Sequence, residues 1–381
     1  MIEIERAEGV YMYGPTGEKY LDLVSGVSVS NTGHHHPRVV EAVKRQVDLY
    51  MHLMVYGEII QSPQVRYAER LAGIFPGELE TCFFVNSGSE AVEGAMKLAK
   101  RFTGRSRIVS FKKSYHGSTH GALSIQGSEQ LRNPFRPLLP DTFQVSFNDE
   151  ESLFTIDERT ACVVAEPIMA EAGVICPIND FLKKLRHRCT ETGALLIFDE
   201  IQTGFGRTGF MFAMNRYNVV PDILVLAKAL GGGMPLGAFI SSNRIMSALM
   251  KNPALGHITT FGGHPVCCAA GLASLNVIIE DNLTVRCNEK SDLFRQQLRH
   301  PLIREIRGEG LLLAVDLANS DLVRYIIANS PKYGLILDYF LFCADAFRIA
   351  PPLIITRDEI LWACGQLKML LDDASKNLIE K

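Results

Sequence analysis

The stretch Ala194-Leu195-Leu196-Ile197-Phe198-Asp199-Glu200-Ile201-Gln202 decides the fold class of this chain. Its first five residues are apolar, with no polar residue between them. Such a run predicts a strand buried on both faces, as in a mostly parallel sheet covered by helices. Ligands of these sheets bind beyond the carboxyl ends of the strands. The polar residues that follow each predicted strand, here Asp199 and Glu200, are therefore candidates for chemistry.

Further strands and helices are predicted on both sides of this stretch. A helix over about residues 180–192 and another after Ser87 and Glu90, which have capping-box spacing, alternate with the strands. This alternation indicates an α/β fold. The other predicted strands cover residues 83–85, 107–111, 161–165, 223–226, 311–315 and 346–350.

The chain is long enough for two domains, since typical domains have roughly 100–200 residues. We expect a large domain at residues 47–280 and a smaller α+β domain at residues 281–381. The small domain would end in a helix opened by Thr356 and Glu359, again with capping-box spacing. We expect residues 1–46 to pack with the small domain.

The composition excludes several classes of protein. Of 381 residues, 47% are hydrophobic, and 39 basic against 42 acidic residues give a net charge of −3. A disordered chain would be less apolar, and a nucleic-acid binder would be more basic. We expect no membrane contact, because the apolar stretches are shorter than the roughly 18–20 residues of a spanning helix. The absence of a recognisable secretory signal and the nine cysteines without metal-ligand spacing favour a reduced, cytoplasmic protein.

Besides Asp199 and Glu200, four further groups of polar residues follow predicted strands. Asn86-Ser87-Gly88-Ser89 enters a helix and could bind a phosphate, although taken alone it fits an ordinary helix start. Ser114-Tyr115-His116-Gly117 could stack on a planar ring or form a surface turn, and Glu166 follows another strand. Lys228 ends a buried strand before Gly231-Gly232-Gly233. Burying a lysine is costly unless it is paired or deprotonated, and a desolvated lysine is the usual Schiff-base nucleophile.

These groups lie at one edge of the predicted sheet, and together they match the needs of pyridoxal 5′-phosphate (PLP). The phosphate needs amide donors, the ring needs an aromatic cover, and the aldehyde needs a lysine. The pyridine nitrogen needs a carboxylate that keeps it protonated. The sequence therefore predicts a PLP site.

The chain resembles the class III aminotransferases, which belong to the fold type I PLP enzymes. The resemblance covers most of the chain, from residues 20–26 and 33–37 to residues 347–353, and residues 197–209 are its most specific part. It implies a large domain with a mostly parallel seven-stranded sheet between helices, and a smaller α+β domain. Within the class, the chain looks most like acetylornithine and ornithine aminotransferases.

The resemblance implies roles for the residues at the predicted site. Lys228 would hold the cofactor as an internal aldimine, and Asp199 would pair with the pyridine nitrogen. Gln202 would approach the phenolic oxygen, and Tyr115 would stack on the ring. The other residues that it assigns to the cofactor are Gly88, Ser89, His116 and Glu166.

The resemblance also implies a homodimer with active sites at its interface. Thr260 would reach the phosphate in the neighbouring subunit. Arg348 would bind the substrate α-carboxylate, and Glu171 matches a residue that pairs with this arginine and gates it in ornithine-type members. Gly26 and Val27 would lie on the substrate side.

The implied activity is ping-pong transamination between an amino acid or ω-amino compound and a 2-oxo acid, with 2-oxoglutarate as the family's usual acceptor. Acetylornithine-type members usually carry an arginine for the distal carboxylate of 2-oxoglutarate at the position of Ser118. Another arginine must therefore reach in, or the substrates differ. A 4-aminobutyrate-type aminotransferase and a glutamate-semialdehyde-type aminomutase remain open.

Other patterns in the sequence suggest weaker alternatives. Gly204-Phe205-Gly206-Arg207-Thr208-Gly209 satisfies GxGxxG, but it does not lie between a first strand and its helix, so an NAD-dependent dehydrogenase is a remote alternative. His34-His35-His36 lacks the spacing of helical metal ligands, and we predict no metal site. A non-catalytic binding module is disfavoured by the presence of both Asp199 and Lys228.

Overall fold

The molecule is built around a seven-stranded, mostly parallel sheet. The computed structural model describes residues 2–55, 57–251, 253–254 and 256–378. The strands of the described residues are β1 (Arg6–Glu8), β2 (Tyr11–Tyr13), β3 (Lys19–Asp22), β4 (Thr81–Val85), β5 (Arg107–Phe111), β6 (Thr142–Val145), β7 (Thr160–Ala165), β8 (Leu195–Asp199), β9 (Ile223–Leu226), β10 (Gly237–Ser241), β11 (Glu305–Glu309), β12 (Leu312–Asp316), β13 (Leu335–Ile336), β14 (Asp338–Phe340) and β15 (Cys343–Ile349). The central sheet has the order β4-β10-β9-β8-β7-β5-β6. β10 runs antiparallel to both of its neighbours, and the other six strands of this sheet run parallel to one another.

Helices cover both faces of this sheet and surround the smaller sheets. The α-helices are α1 (Ser25–Ser28), α2 (Pro37–Leu49), α3 (Ser62–Ala72), α4 (Gly88–Thr103), α5 (His120–Ser124), α6 (Glu129–Arg132), α7 (Phe181–Thr192), α8 (Ala213–Tyr217), α9 (Asn243–Met246), α10 (Pro265–Glu280), α11 (Cys287–Gln297), α12 (Ser320–Asn329) and α13 (Arg357–Leu378). Short 3₁₀ turns lie at Asn133–Phe135, Glu151–Thr155, Lys228–Gly231, Ser247–Met250 and Ser330–Tyr333. Among these described helices, none is both long and apolar enough to cross a membrane.

Two four-stranded sheets lie outside the central one. The first has the order β1-β2-β3-β13 and joins the N-terminal strands to a strand of the C-terminal part through parallel pairing. The second, in the order β11-β12-β15-β14, is antiparallel and places Asp338 directly opposite Arg348. A separate hydrophobic core lies under these strands and helices α11, α12 and α13. The predicted domain boundaries at residues 46/47 and 280/281 remain predictions, and the outer limits Met1 and residues 379–381 lie outside the described residues.

The predicted strands and helices agree with the structure. The residues of β5, β7, β8 and β9 are almost all fully buried, as their continuous apolar runs require. The hydroxyl of Ser87 caps α4, accepting a hydrogen bond from the backbone N–H of Glu90 at 3.2 Å. The Glu90 carboxylate accepts from the backbone N–H of Asn86 at 2.7 Å rather than from that of Ser87, so the cap extends one residue further back. Thr356 and Glu359 form the reciprocal capping box of α13.

Candidate active site

A cavity of about 490 Å³ lies beyond the carboxyl ends of the parallel strands. It is lined by the segments that follow β4, β5, β7, β8 and β9, so the sheet topology alone brings residues distant in sequence together. All eight of the residues that we assigned to the cofactor within one subunit line this cavity. They are Gly88, Ser89, Tyr115, His116, Glu166, Asp199, Gln202 and Lys228.

Lys228 begins a 3₁₀ turn two residues after β9 ends. Its backbone has a φ of 53°, a left-handed conformation that is energetically unfavourable for residues other than glycine. Burial lowers the pKa of its amine to about 8, an effect that the nearby Glu171 carboxylate opposes. A substantial fraction of the amine is therefore neutral near physiological pH, which suits a nucleophile.

Asp199 and His116 form a buried pair at the end of β8. The His116 Nδ1 donates to Asp199 Oδ2 at 2.7 Å, and the backbone N–H of Ile201 donates to Asp199 Oδ1 at 3.1 Å. Glu166 lies close by and accepts backbone hydrogen bonds from Tyr115 and Ala170, each at 3.0 Å. Burial raises the pKa of Glu166 to about 7, and the negative charge of Asp199 acts in the same direction.

The N-terminus of α4 and the loop after β5 form a tight backbone cradle. The Ser89 hydroxyl accepts a hydrogen bond from the backbone N–H of Ser118 at 3.2 Å. Gly117 has a φ of 123°, and a Cβ on it would lie 2.1 Å from Ser89 Oγ. A Cβ on Gly88 would lie 2.8 Å from Ile201. Glycine is thus required at position 117, whereas a Cβ at position 88 would only push the end of the Ile201 side chain aside. The helix N-terminus beside them favours an anion.

Glu171 and Arg348 form an ion pair beside the cavity. Arg348 Nη2 donates to Glu171 Oε1 at 2.6 Å, and the Gln202 amide donates to the same oxygen at 2.8 Å. The backbone N–H of Leu341 donates to Glu171 Oε2 at 3.1 Å. Burial alone would raise the pKa of Glu171, but Arg348 and these hydrogen bonds hold it below its usual value. Gln202 lines the cavity and contacts Glu171, so the ion pair is separated from the cavity by the side chain of Gln202 alone.

The remaining surroundings of Arg348 leave part of its guanidinium unsatisfied. Its Nη1 lies 3.9 Å from Asp338, which is too long for a hydrogen bond, and its plane lies against the ring of Phe340. Its Nε and Nη1 are buried and have no hydrogen-bond partner among the described residues. Arg348 can therefore still donate to an incoming carboxylate.

The other predicted site residues lie outside the cavity of the single chain. Thr260 is exposed and lies a few residues before α10. Gly26 and Val27 belong to α1, whose four residues all have a positive φ and therefore form a left-handed turn. Val29, one residue beyond this turn, lines the cavity.

The sequence did not predict several residues that line the cavity. Asn86 and Ser87 belong to the group that we predicted as a phosphate site without assigning these two residues to the cofactor. Ile201 lies between Asp199 and Gln202, and its position in a post-strand segment was the available signal. The segment 233–236 begins at the last glycine of the run and leads the chain into β10, a strand that we did not predict. The contact between Gln202 and Glu171 joins residues in the loops that follow two different strands, β8 and β7, and no sequence spacing indicates it.

The arrangement fits PLP. The N-terminus of α4 at Gly88 and Ser89 lines the cavity and favours an anionic group. Asp199 lines it with a carboxylate, and Lys228 offers an amine of lowered pKa. Gln202 Oε1 is buried without a partner in the part of the chain that the structure describes, as expected of a group that faces a ligand. The fold and the site thus define a fold type I PLP enzyme.

Comparison with known proteins gives the family. The family model described as aminotransferase class-III matches residues 1–371. The chain is 39% identical over 365 residues to the acetylornithine aminotransferase of Methanopyrus kandleri, covering 94% of this chain and 92% of that protein.

Solved structures agree with this assignment. A transaminase from the marine bacterium Virgibacillus superposes with a TM-score of 0.93 at 27% identity, covering 99% of this chain and 94% of that one. The ornithine aminotransferase of Toxoplasma gondii, solved with PLP at partial occupancy in its active site, superposes with a TM-score of 0.89 at 30% identity, covering 98% and 91% of the two chains. The chain belongs to the class III aminotransferases, the PLP-dependent transaminases of this fold.

Proposed function

We propose that this aminotransferase takes its amino group from an ω-amino donor of the acetylornithine or ornithine type and passes it to a 2-oxo acid in a ping-pong cycle. The observation that carries the proposal is the ion pair between Glu171 and Arg348, at 2.6 Å. While this pair is closed, the arginine is occupied, and a donor that does not need it can react. When the pair opens, Arg348 becomes available to an α-carboxylate.

The position of Glu171 on the guanidinium supports a gate. A guanidinium offers two bidentate faces, Nη1 with Nη2 and Nε with Nη2. Glu171 accepts one of the two N–H bonds of Nη2, the nitrogen that both faces share. Its negative charge would therefore lie beside a substrate carboxylate bound to either face and repel it, so movement of Glu171 away from Arg348 should favour bidentate binding of the substrate.

The residues of the cavity supply the remaining tasks. When bound, PLP supplies an electron sink that stabilises negative charge at the substrate carbon. We propose that Lys228 holds the cofactor and, once free, moves a proton to and from that carbon. Asp199, oriented by His116, would hold a proton at the pyridine nitrogen. Tyr115 would cover the ring, and Gln202 would orient the phenolic oxygen.

A homodimer would complete the site. Several apolar side chains at the end of α2 and between α2 and α3 are exposed: Leu49 to 68%, Met51 to 62% and Ile60 to 88%. Phe261, next to Thr260, is also exposed, to 55%. Such a concentration favours burial against a second copy of the chain, which would bring Thr260 to its neighbour's phosphate. All nine cysteines are free, which supports a cytoplasmic location.

The choice of acceptor depends on whether the protein can bind a second carboxylate. No arginine lines the described part of the cavity, and Ser118 Oγ lies 3.2 Å from the Tyr115 hydroxyl. The resemblance to the family favours 2-oxoglutarate, whose second carboxylate would then need a cation from outside the described cavity. Pyruvate, which has no second carboxylate, needs none.

The test is a matrix of donors and acceptors, run with the wild type and with Glu171→Ala. Donors are acetylornithine, ornithine, 4-aminobutyrate and glutamate, and acceptors are 2-oxoglutarate and pyruvate. We expect the wild type to use at least one ω-amino donor. Glu171→Ala should raise kcat/KM for glutamate relative to the best ω-amino donor by about tenfold, because Arg348 no longer has to be released.

A matched control is Glu305→Ala, which removes an exposed carboxylate bound to Arg307 and should leave the ratio unchanged. An unchanged donor preference in Glu171→Ala would refute the gate. A wild type that returns the amino group to the same carbon skeleton, without an external acceptor, would indicate an aminomutase instead.

A further inference from the structure

Arg207 is a fully buried cation that the proposed chemistry does not use. Its side chain is 0% exposed, and among the described residues no carboxylate forms an ion pair with it, although the charge of Asp22 acts on it from a greater distance. Burial lowers the pKa of Arg207 to about 10, so the guanidinium is still charged at neutral pH. Burying an unpaired charge is expensive, and its position therefore needs an explanation.

Four neutral oxygen atoms take the place of a carboxylate. Nη1 donates to the carbonyl oxygens of Leu311, at 2.9 Å, and Pro351, at 2.6 Å. Nη2 donates to Ser25 Oγ at 3.1 Å and to Asn31 Oδ1 at 2.5 Å. Arg207 itself follows β8, whereas Ser25 and Asn31 belong to the N-terminal segment and Leu311 and Pro351 to the C-terminal part. One guanidinium thus joins three separate segments.

The segments that meet at Arg207 are also tied to one another. Ser25 Oγ donates to the carbonyl of Ala350 at 2.7 Å, and the backbone N–H of Leu311 donates to the carbonyl of Arg207 at 2.9 Å. The Asn31 amide donates to the carbonyl of Phe205 at 2.9 Å. The contact is therefore a closed network rather than a single side chain reaching across a gap.

The glycines around Arg207 serve the same junction. Gly206 has a φ of 88°, and a Cβ on it would lie 2.9 Å from the side chain of Leu353. Gly209 has a φ of 84°, and a Cβ on it would lie 2.5 Å from Asn288 on α11. The GxGxxG pattern thus permits close packing against the C-terminal part of the chain.

Two of the joined segments carry residues that we expect to contact the substrate, Gly26 and Val27 on one and Arg348 on the other. Ser25 opens α1, a left-handed turn of four residues that needs external constraint, because this conformation is unfavourable for its three residues other than Gly26. Pro351 lies three residues after Arg348 on the same segment. We propose that Arg207 is a positioning residue, which holds Arg348 and the turn α1 at a fixed separation and so sets the affinity for the substrate α-carboxylate.

The proposal rests on the proposed role of Arg348 and predicts a selective effect on KM. Arg207→Lys keeps the charge, but one ammonium cannot reach four oxygens in two directions. We expect KM for glutamate, whose α-carboxylate needs Arg348, to rise about tenfold. We expect KM for the best ω-amino donor, and kcat for both donors, to change by less than about twofold.

Further variants guard against loss of folding. Ser25→Ala and Asn31→Ala each remove one acceptor and should each raise KM for glutamate by about threefold. Arg105→Lys is the matched control, because Arg105 also donates to two carbonyls, of Thr160 and Thr192, but belongs to the large domain alone. It should lower the thermal unfolding temperature without changing either KM.

Two outcomes would overturn the positioning role. One is an equal rise in KM for both donors, which indicates a general structural effect. The other is an unchanged KM for glutamate in Arg207→Lys, Ser25→Ala and Asn31→Ala. Failure of the proposed function is a separate result. It would be seen in the wild type alone, as an absence of activity with every ω-amino donor.

Discussion

Lys228 is subject to burial and to nearby charges that act on its pKa in opposite directions. Burial is the larger effect and lowers the pKa to about 8, whereas Glu171 raises it. The structure thus gives the amine a lowered pKa before any cofactor is bound. At this scale the sequence was informative, because a lysine at the end of an apolar strand has few explanations other than chemistry.

This pKa predicts how cofactor attachment depends on pH. Only the neutral amine attacks an aldehyde, so the attachment rate of PLP to cofactor-free enzyme should rise with pH and level off above about 8. At about pH 6 the rate should be roughly a hundredfold below the plateau. The rate is followed by stopped-flow absorbance in the visible range.

The control is Lys228→Ala, which should bind PLP without forming the covalent absorption band at any pH. A midpoint near the ordinary lysine value of about 10.4 would contradict the pKa inferred from burial.

The loop between β5 and α5 positions two site residues, Tyr115 and His116, through one glycine. Gly117 has a φ of 123°, and a side chain there would collide with Ser89 at the start of α4. Gly117→Ala should therefore lower the free energy of unfolding by about 3 kcal/mol, from backbone strain and overpacking together. It should also weaken PLP binding at least about tenfold, because the two sides of the cradle must separate.

Gly104→Ala separates strain from collision. Gly104 ends α4 with a φ of 68°, and a Cβ there would meet nothing within 4 Å. This variant should cost about 1 kcal/mol and leave PLP affinity unchanged. Denaturant unfolding and spectroscopic PLP titration measure both quantities, and equal losses in the two variants would show that the collision is unimportant.

The elements also show where prediction from sequence ends. Asp199, Lys228 and Glu166 could be predicted because each follows an apolar run, and the carboxyl ends of parallel strands meet at one edge. The antiparallel strand β10 was missed because its pairing depends on partners distant in sequence. The left-handed turn α1 was missed as well, because Ser25 and Val27 have no intrinsic preference for that conformation and owe it to tertiary contacts.

The candidate site lies where two parts of the molecule meet, and the proposed dimer would add a third. The large sheet supplies Lys228 and Asp199, and β15 supplies Arg348. Thr260 is exposed and does not line the cavity of its own chain. If it completes the partner's phosphate site, neither subunit has a complete site alone, and each active site depends on residues from both chains.

This dependence predicts complementation between two inactive variants. Lys228→Ala should be inactive, and Thr260→Asp should bind PLP poorly because its carboxylate would repel the phosphate. In a mixed dimer, one site combines Lys228 from one subunit with Thr260 from the other. Random exchange of equal amounts should therefore restore about one quarter of wild-type activity, since about half of the dimers are mixed and each has one intact site.

The decisive comparison is a second mixture in which both subunits lack the lysine. Lys228→Ala combined with the double variant Lys228→Ala, Thr260→Asp contains no intact site in any pairing, so its activity should stay at background. Recovery is measured by steady-state assay after subunit exchange, with mixed dimers isolated through two affinity tags. If isolated mixed dimers of the first pair also stay at background, Thr260 acts within its own subunit, because only a site shared across the interface can be rebuilt by exchange.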